Sequence, residues 1–367
     1  MPYGTVNADL MTTSDGVSSS GLYGFKNRII NGAMVIDQRN AGASVSVGTA
    51  TATYTLDRWR LYHDTAITSN ITAQQSATVP TTGYINSQIL TNGTGASPAS
   101  VDLNTLQQRI EGYNVADLNF GASTASSITL SFWVRSSLTG TFGVGLSNSA
   151  QDRSVASTYT INSANTWEQK TITLSGDQSG TWVTNNGIGL IVNFDLGSGT
   201  TSNATTAGTW QAGRVLRTSA CTNFIGTTGA TFYITGVQLE KGSTATSFDY
   251  RPYGTELFLC QRYFWRRTGA SNATFGVGQV YNTTDIRALL YNPVVMRTAP
   301  SITFTGSNFS YANSGSIKTL ATLNAADQTP EVSLLYSGAG TTASTQGQAA
   351  FWLITSSASY IDVSAEL

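Results

Sequence analysis

Charge is what this chain has least of. Only 11% of its 367 residues are Asp, Glu, Lys or Arg, and 20 acidic against 19 basic side chains leave a net charge of −1. With no basic surplus to neutralise phosphates or tether the chain to an anionic bilayer, neither nucleic acid nor a membrane is an expected partner. Cysteine is scarce too. Cys221 and Cys260 are too few for a disulfide framework, have no metal-ligand spacing around them, and read as buried small apolar residues. The one histidine, His63, ends the strand face of Trp59 and Leu61 with no Ser/Asp or Cys arrangement near it, which argues against a Ser-His-Asp site. No run approaches the ~18 consecutive apolar residues of a membrane-spanning helix. Residues 1–16 (MPYGTVNADLMTTSDG) show neither the basic region nor the apolar run of an export signal.

What the chain does have is 36 glycines, 16 tyrosines, 7 tryptophans and short apolar runs punctuated by Gly, Asn, Ser and Thr. That pattern predicts many strands joined by turns. In residues 128–135 (ITLSFWVR), Ile128, Leu130, Phe132 and Val134 share one face and Thr129, Ser131, Trp133 and Arg135 the other. Phe142, Val144 and Leu146 make a second such face, and Ile188, Leu190, Val192 and Phe194 a third. Phe232 and Ile234 begin a fourth, whose phase slips at Gly236 before Val237 and Leu239, the mark of a bulge. Alternation of this kind belongs to antiparallel sheets packed as a sandwich.

The expected fold class is therefore all-β: a polar, coreless segment over residues 1–25, an antiparallel β-sandwich over 26–251, one short helix within 252–267, and a smaller C-terminal β-domain over 268–367. The helix is read from residues 255–267 (TELFLCQRYFWRR), with Thr255 as N-cap and two arginines at the C-terminal end. Leu257, Phe258, Phe264 and Trp265 leave little of its circumference polar. It is either wedged between two domains or meets its copies on a threefold axis.

Six strings, KNRIINGAMVIDQ (26–38), YTLDRWRL (54–61), QRIEG (108–112), ITLSFWVRSSLTG (128–140), NTWEQKTITLSGDQSGTW (165–182) and TFYITGVQLEKGSTATSFDYRPY (231–253), together resemble a recurrent module of tailed-bacteriophage tail fibre and receptor-binding proteins. The resemblance continues through PYGTELFLCQRYF into the helix. It implies a jelly roll like that of carbohydrate-binding modules, a homotrimeric fibre, an N-terminal segment joined to other virion proteins of the tail or an adaptor, and a distal domain facing host cell-surface polysaccharide. It also tips the helix toward the threefold axis, with Leu257, Phe258, Phe264 and Trp265 at the trimer interface. Localisation on the virion agrees with a polar chain that lacks an export signal. A purely structural head or tail decoration and a glycan-degrading tailspike are the alternatives.

Sugar recognition needs flat aromatic faces together with amide, carboxylate or Arg groups for hydroxyls. Trp133 and Trp167, on the non-core side of their strands, are candidates in the sandwich, as are Trp182 and Trp210; Tyr281, Tyr291, Tyr311 and Tyr336 are candidates in the distal domain. No catalytic residue is expected. Asp152, Asp177 and Asp195 are the carboxylates a glycan-cleaving pair would draw on, but turn formation is the commoner role of such residues. Modules of this kind often hold a structural calcium through an acidic pair. Here that position reads Thr235-Gly236, so no metal or other cofactor is expected, and Glu240 and Asp249 are the oxygen donors left nearby.

Overall fold

The computed structural model describes residues 26–48, 52–64, 71–80, 83–270, 272–283, 285–313, 316–320, 322–337 and 345–367. The segment expected to join the virion, residues 1–25, lies outside them. The chain divides into two compact units, one running to Tyr253 and including Leu367, the other Gly254–Glu366.

The first unit is an antiparallel sandwich. Its strands in chain order are β1 (Val45–Val47), β2 (Ala52–Leu56), β3 (Trp59–His63), β4 (Ile71–Ser76), β5 (Ser87–Asn92), β6 (Asn104–Glu111), β7 (Ile128–Ser136), β8 (Gly140–Ser147), β9 (Arg153–Ile161), β10 (Glu168–Leu174), β11 (Ile188–Asp195), β12 (Gln211–Ala212) and β13 (Thr231–Lys241). One sheet has the order β1-β4-β5-β13-β7-β10 and the other β12-β9-β8-β11-β6-β3-β2, so the chain crosses repeatedly between layers, as in a jelly roll. The alternating apolar faces read from sequence point between them. Phe132 meets Phe194 and Tyr159 edge-on, each at 5.0 Å, and Phe142 stacks on Tyr159 at 5.8 Å. The phase slip at Gly236 is a bulge: β13 loses register with β7 between Thr235 and Gln238, and Gly236 adopts φ +60°, where a side chain is strained.

Residues 26–38 form no strand, yet they are tied into the sandwich by buried polar groups. Asn31, fully buried, donates to the carbonyls of Ile36 (2.8 Å) and Asp57 (3.0 Å) and accepts from Ile36 N (3.0 Å), while Trp59 Nε1 donates to its carbonyl (2.9 Å). The Asp57 carboxylate takes both Gln38 N (2.6 Å) and Gln38 Nε2 (2.9 Å). Gln108 clamps the Ile30 backbone from both sides, at 2.8 and 2.9 Å. Asn27 reaches β13, donating to Val237 O (3.1 Å) and accepting from Leu239 N (3.1 Å). Gly32 lies so close to β13 that a Cβ there would strike the Val237 carbonyl oxygen. Four of the strings that carry the family resemblance are thus hydrogen-bonded to one another.

In the second unit, α1 (Tyr253–Gln261) is followed by β14 (Phe264–Thr268), β15 (Ala273–Val280), β16 (Ile286–Tyr291), β17 (Ser301–Thr305), β18 (Phe309–Asn313), β19 (Ser316–Thr319), β20 (Asn324–Ala326), β21 (Val332–Ser337), β22 (Ala349–Ile354) and β23 (Tyr360–Ser364). They make a three-stranded sheet, β14-β23-β17, and a seven-stranded one, β19-β18-β22-β15-β16-β21-β20. The helix expected over 255–267 is corrected here: it stops at Gln261. Arg262 N and Tyr263 N bond back to Phe258 O and Cys260 O, and the chain then turns into β14, paired with β23 in register from Phe264↔Ser364 to Thr268↔Tyr360. Arg266, read as a helix-terminal cation, instead forms a two-pronged pair with Asp362 (2.6 and 2.7 Å) and lies over the Tyr360 ring at 3.8 Å. Phe264 and Trp265 are accordingly buried within the chain, and Trp265 Nε1 donates to Asn292 Oδ1 (3.1 Å). Only Leu257 and Phe258 of the four expected interface residues stay on the helix, half-buried and exposed respectively.

Asn31→Ala strips three buried backbone partners of their hydrogen bonds and puts alanine at φ +58°. At about 1–3 kcal/mol per unsatisfied buried group, the first unit is expected to lose roughly 3–5 kcal/mol. Asn31→Gly, which relieves only the backbone strain, should recover about 1 kcal/mol of it. Urea unfolding checks both, and an unchanged midpoint for the alanine variant contradicts the role given to Asn31.

Candidate functional site

The outer face of the six-stranded sheet carries the candidate site. Alternation turns Trp133 and Arg135 of β7 outward, and antiparallel register sets them beside Thr235 and Tyr233 of β13 on one side; on the other, Trp133 faces Gln169 of β10. Trp167, just before β10, meets the Tyr233 ring edge-on at 6.0 Å. The Arg135 guanidinium lies over Tyr233 at 4.8 Å while its Nε donates to Asn165 O (2.8 Å), which fixes the cation at the ring. Trp133, Trp167, Tyr233 and Arg135 are all half-buried: held by their neighbours, open on one side.

A second cluster extends this surface. Tyr84 lies over the bulge, where a Cβ at Gly236 would meet its ring and hydroxyl, so the glycine makes room for it. Its ring contacts Phe248 (5.5 Å) and Tyr250 (5.6 Å), which contact each other at 4.9 Å. Burial, then a hydrogen bond to Tyr250, push the Tyr84 hydroxyl well above the ordinary phenol range, against a smaller opposing effect of its hydrogen bond with Trp133. Tyr84 therefore stays a neutral phenol. The result is an amphipathic surface of rings edged by a guanidinium, hydroxyls and the Gln169 amide, the donor and acceptor set that sugar C–H faces and hydroxyls require.

Glu168 anchors the approach to Trp167. It accepts from Asn162 N (2.8 Å), Asn162 Nδ2 (2.9 Å), Ser163 N (3.0 Å) and Lys170 Nζ (2.6 Å). Burial alone raises its pKa, but the Lys170, Ser163 and Asn162 bonds outweigh it and lower the carboxyl to about 2.

Trp182 and Trp210 are elsewhere. With Phe120 they form a three-ring cluster (4.8, 5.6 and 5.4 Å) in which their indole N–H groups are taken up by Ser179 O and Ser175 O. Phe120 and Trp182 border a cavity of about 280 Å³ that also touches Asn119, Thr184 and Leu190.

Of the candidate tyrosines in the second unit, Tyr311 is fully buried among Phe309, Trp352 and Leu335 and cannot stack on a ligand; its place in β18 turns it into the core. The Tyr281 ring is covered by the Arg287 guanidinium at 3.6 Å, Tyr291 is exposed and Tyr336 half-buried. Glu240 meets Thr246 N (3.1 Å), Thr246 Oγ1 and Gln238 Nε2 (2.8 Å), so its oxygens already have protein donors, and Asp249 lies 3.6 Å from Arg251. No group of three or more His, Cys, Asp or Glu suited to a metal occurs among the described residues. Asp177 takes a two-pronged bond from Arg153 (2.9 and 2.5 Å), Asp152 accepts from Asn148 (2.6 Å), and Asp195 is buried 3.2 Å from Arg217. His63 is buried, its Nδ1 2.7 Å from Asn104 Oδ1, and both cysteines are buried.

Tyr233 and Tyr84 were not singled out from sequence. Alternation with Phe232 and Ile234 was a sufficient signal for Tyr233; nothing local announces that Tyr84 arrives over a bulge some 150 residues further along the chain.

Neither a protein-family model nor a curated protein sequence matches this chain. Solved structures similar to it include the enzymatically active domain of bacteriophage CBA120 tailspike protein 4, at 13% identity over 59% of this chain and 21% of that one, TM-score 0.30. A CBM4 structure is similar at 15% identity over 57% and 97%, TM-score 0.27. The family 11 carbohydrate-binding module of Clostridium thermocellum, in complex with a β-1,3-1,4-mixed-linked tetrasaccharide, is similar at 9% identity over 55% and 98%, TM-score 0.28.

Because the Glu168 pKa is depressed in the folded chain, its contribution is fully present above the ordinary value of 4.5 and is lost as pH falls through about 2. Acidification across that window should loosen residues 162–168 and shift the tryptophan emission of native protein. Glu168→Gln should abolish the transition, and a variant that titrates like the native chain contradicts the anchoring role.

Proposed function

We propose that this chain is the subunit of a homotrimeric receptor-binding fibre on a tailed-bacteriophage virion, which joins the particle through residues 1–25 and binds host surface polysaccharide without cleaving it. The observation that carries the glycan reading is the outward row of Trp167, Arg135 and Tyr233 with Trp133 and Gln169 beside it. A sandwich has no folding need for large rings on its solvent side, and a guanidinium fixed at their edge adds donors suited to hydroxyls. The virion, tail and trimer parts of the reading are supported by the family resemblance of the six strings. Trimerisation also has a thermodynamic use: a single sugar site of millimolar Kd contributes only about −4 kcal/mol, whereas linked sites raise avidity by roughly 10²–10⁴.

A glycan array probed with the purified protein tests this directly. Binding to surface polysaccharide is expected, and Trp167→Ala or Trp133→Ala should weaken it by roughly 1–3 kcal/mol per site, the scale of an aromatic burial. Normal binding by both folded variants overturns the site, and release of reducing ends from the polysaccharide favours a degrading spike. Deleting residues 2–25 should leave a folded protein that fails to join particles; full incorporation into virions moves the anchor elsewhere. A decoration protein is indicated instead if particles lacking the chain adsorb normally.

A further inference from the structure

The seven-stranded sheet of the second unit has one face in the core and one in water, and the water face has an unusual composition. Cross-strand register aligns Ile317 of β19, Ala312 of β18, Phe351 of β22, Val277 of β15, Leu289 of β16, Leu334 of β21 and Ala326 of β20 in a single transverse row. Every strand of the sheet thus contributes an apolar residue at the same level. Val277 is 60% exposed, Ile317 56%, Phe351 51% and Leu289 42%. Tyr291, exposed, and Val332 pair on the next level beyond Leu289 and Leu334, widening the row. On the other side Arg287 borders it, but its charge is already met by Asp285 at 2.9 Å and its plane lies on Tyr281.

The seven residues of the row itself offer a sugar hydroxyl no side-chain donor or acceptor, and the Tyr291 hydroxyl lies at its margin. The surface does not suit an isolated peptide either: the row runs across the strands over the whole sheet, and the trough of about 430 Å³ beside Val277, Leu289, Tyr281 and Leu334 is open and shallow. A broad flat apolar surface calls for another of the same kind. The exposed side chains of the row with Tyr291 and Val332 leave roughly 600 Å² in water, at the top of the ~300–600 Å² span of the largest patch on an ordinary monomer. Three such faces turned to a common axis would together remove ~1,800 Å² from water, about 600 Å² per pair of chains, so the row is one part of the contact between copies.

We infer that this row is the surface through which the chain associates with further copies of itself, the three sheets of a trimer directing Val277, Leu289 and Phe351 toward the common axis. This deepens the trimer part of the function proposed above and rests on it. It also moves self-association from the helix expected in that role, where Phe264 and Trp265 are buried within the chain, to a sheet whose Val277, Ile317, Phe351 and Leu289 are exposed among the described residues.

The test is sedimentation equilibrium of the full chain, native and with two pairs of substitutions. Val277→Lys with Phe351→Lys places like charges on the row; Val277→Thr with Phe351→Thr keeps strand-forming residues and removes apolar surface only. Both sites are open to water in the single chain, so circular dichroism and melting of each unit should be close to native. The native chain is expected to be a trimer, the lysine pair a folded monomer, and the threonine pair at least ~10-fold weaker in association, as lost apolar contact predicts. A folded lysine variant that remains trimeric overturns the inference and leaves the trimer reading intact. A monomeric native chain overturns both. Each site of the monomeric variant should bind polysaccharide as the native site does, and loss of that binding with the fold intact would make the row a recognition surface instead.

Discussion

Everything described in the sandwich depends on a buried polar clasp that is not itself regular secondary structure. Residues 26–38 have no ladder to join, so their backbone groups must find partners elsewhere or stay in solvent. Asn31 serves Ile36, Asp57 serves Gln38 N, Gln108 serves Ile30 and Asn27 serves Ile29 N, each from inside the protein. Such groups are costly when half-satisfied and specific when fully satisfied, because no other arrangement of the chain meets the same donors and acceptors. This explains why KNRIING, YTLDRW, QRIEG and GVQLEKG occur as a set in one sequence: they are the four sides of one network, and a change in any of them strands a buried group on another.

The clasp also sets what the sheet can present. By holding β13 through Val237 and Leu239, it fixes the strand on the far side of its bulge, where Gly236 takes a backbone shape a larger residue resists. Tyr84 occupies the space left at that glycine and packs on Phe248 and Tyr250. On the same face Arg135 is pinned between the Tyr233 ring and the Asn165 carbonyl. A preorganised surface of this kind has little side-chain freedom left to lose on binding.

Much of the sandwich was legible because period-two alternation is a local signal: Ile128, Leu130, Phe132 and Val134 face the core as read, and the phase slip at Gly236 is a true bulge. The helix boundary was not legible, because the signal that ends it is non-local. FWRRT can continue a helix or start a strand, and the choice is made by YIDVS, almost a hundred residues later, through Arg266 and Asp362. The same limit separates Tyr311 from Tyr291: both are strand tyrosines, and only the sheet order says that one points into the core and the other into water. Alternation along adjacent strands was enough to place Trp133 and Trp167 on the outer side of the sheet; it could not place Tyr84, whose position is set by a bulge on a distant strand.

The central claim is that the face built on β7, β10 and β13 meets the host glycan. Hydrogen exchange of the intact protein, with and without host surface polysaccharide, measures this most directly. The account predicts added protection in residues 128–136, 165–174 and 231–241, with no change across 277–291 and 349–354. Protection confined to the latter segments, or none anywhere in the presence of bound polysaccharide, would contradict it.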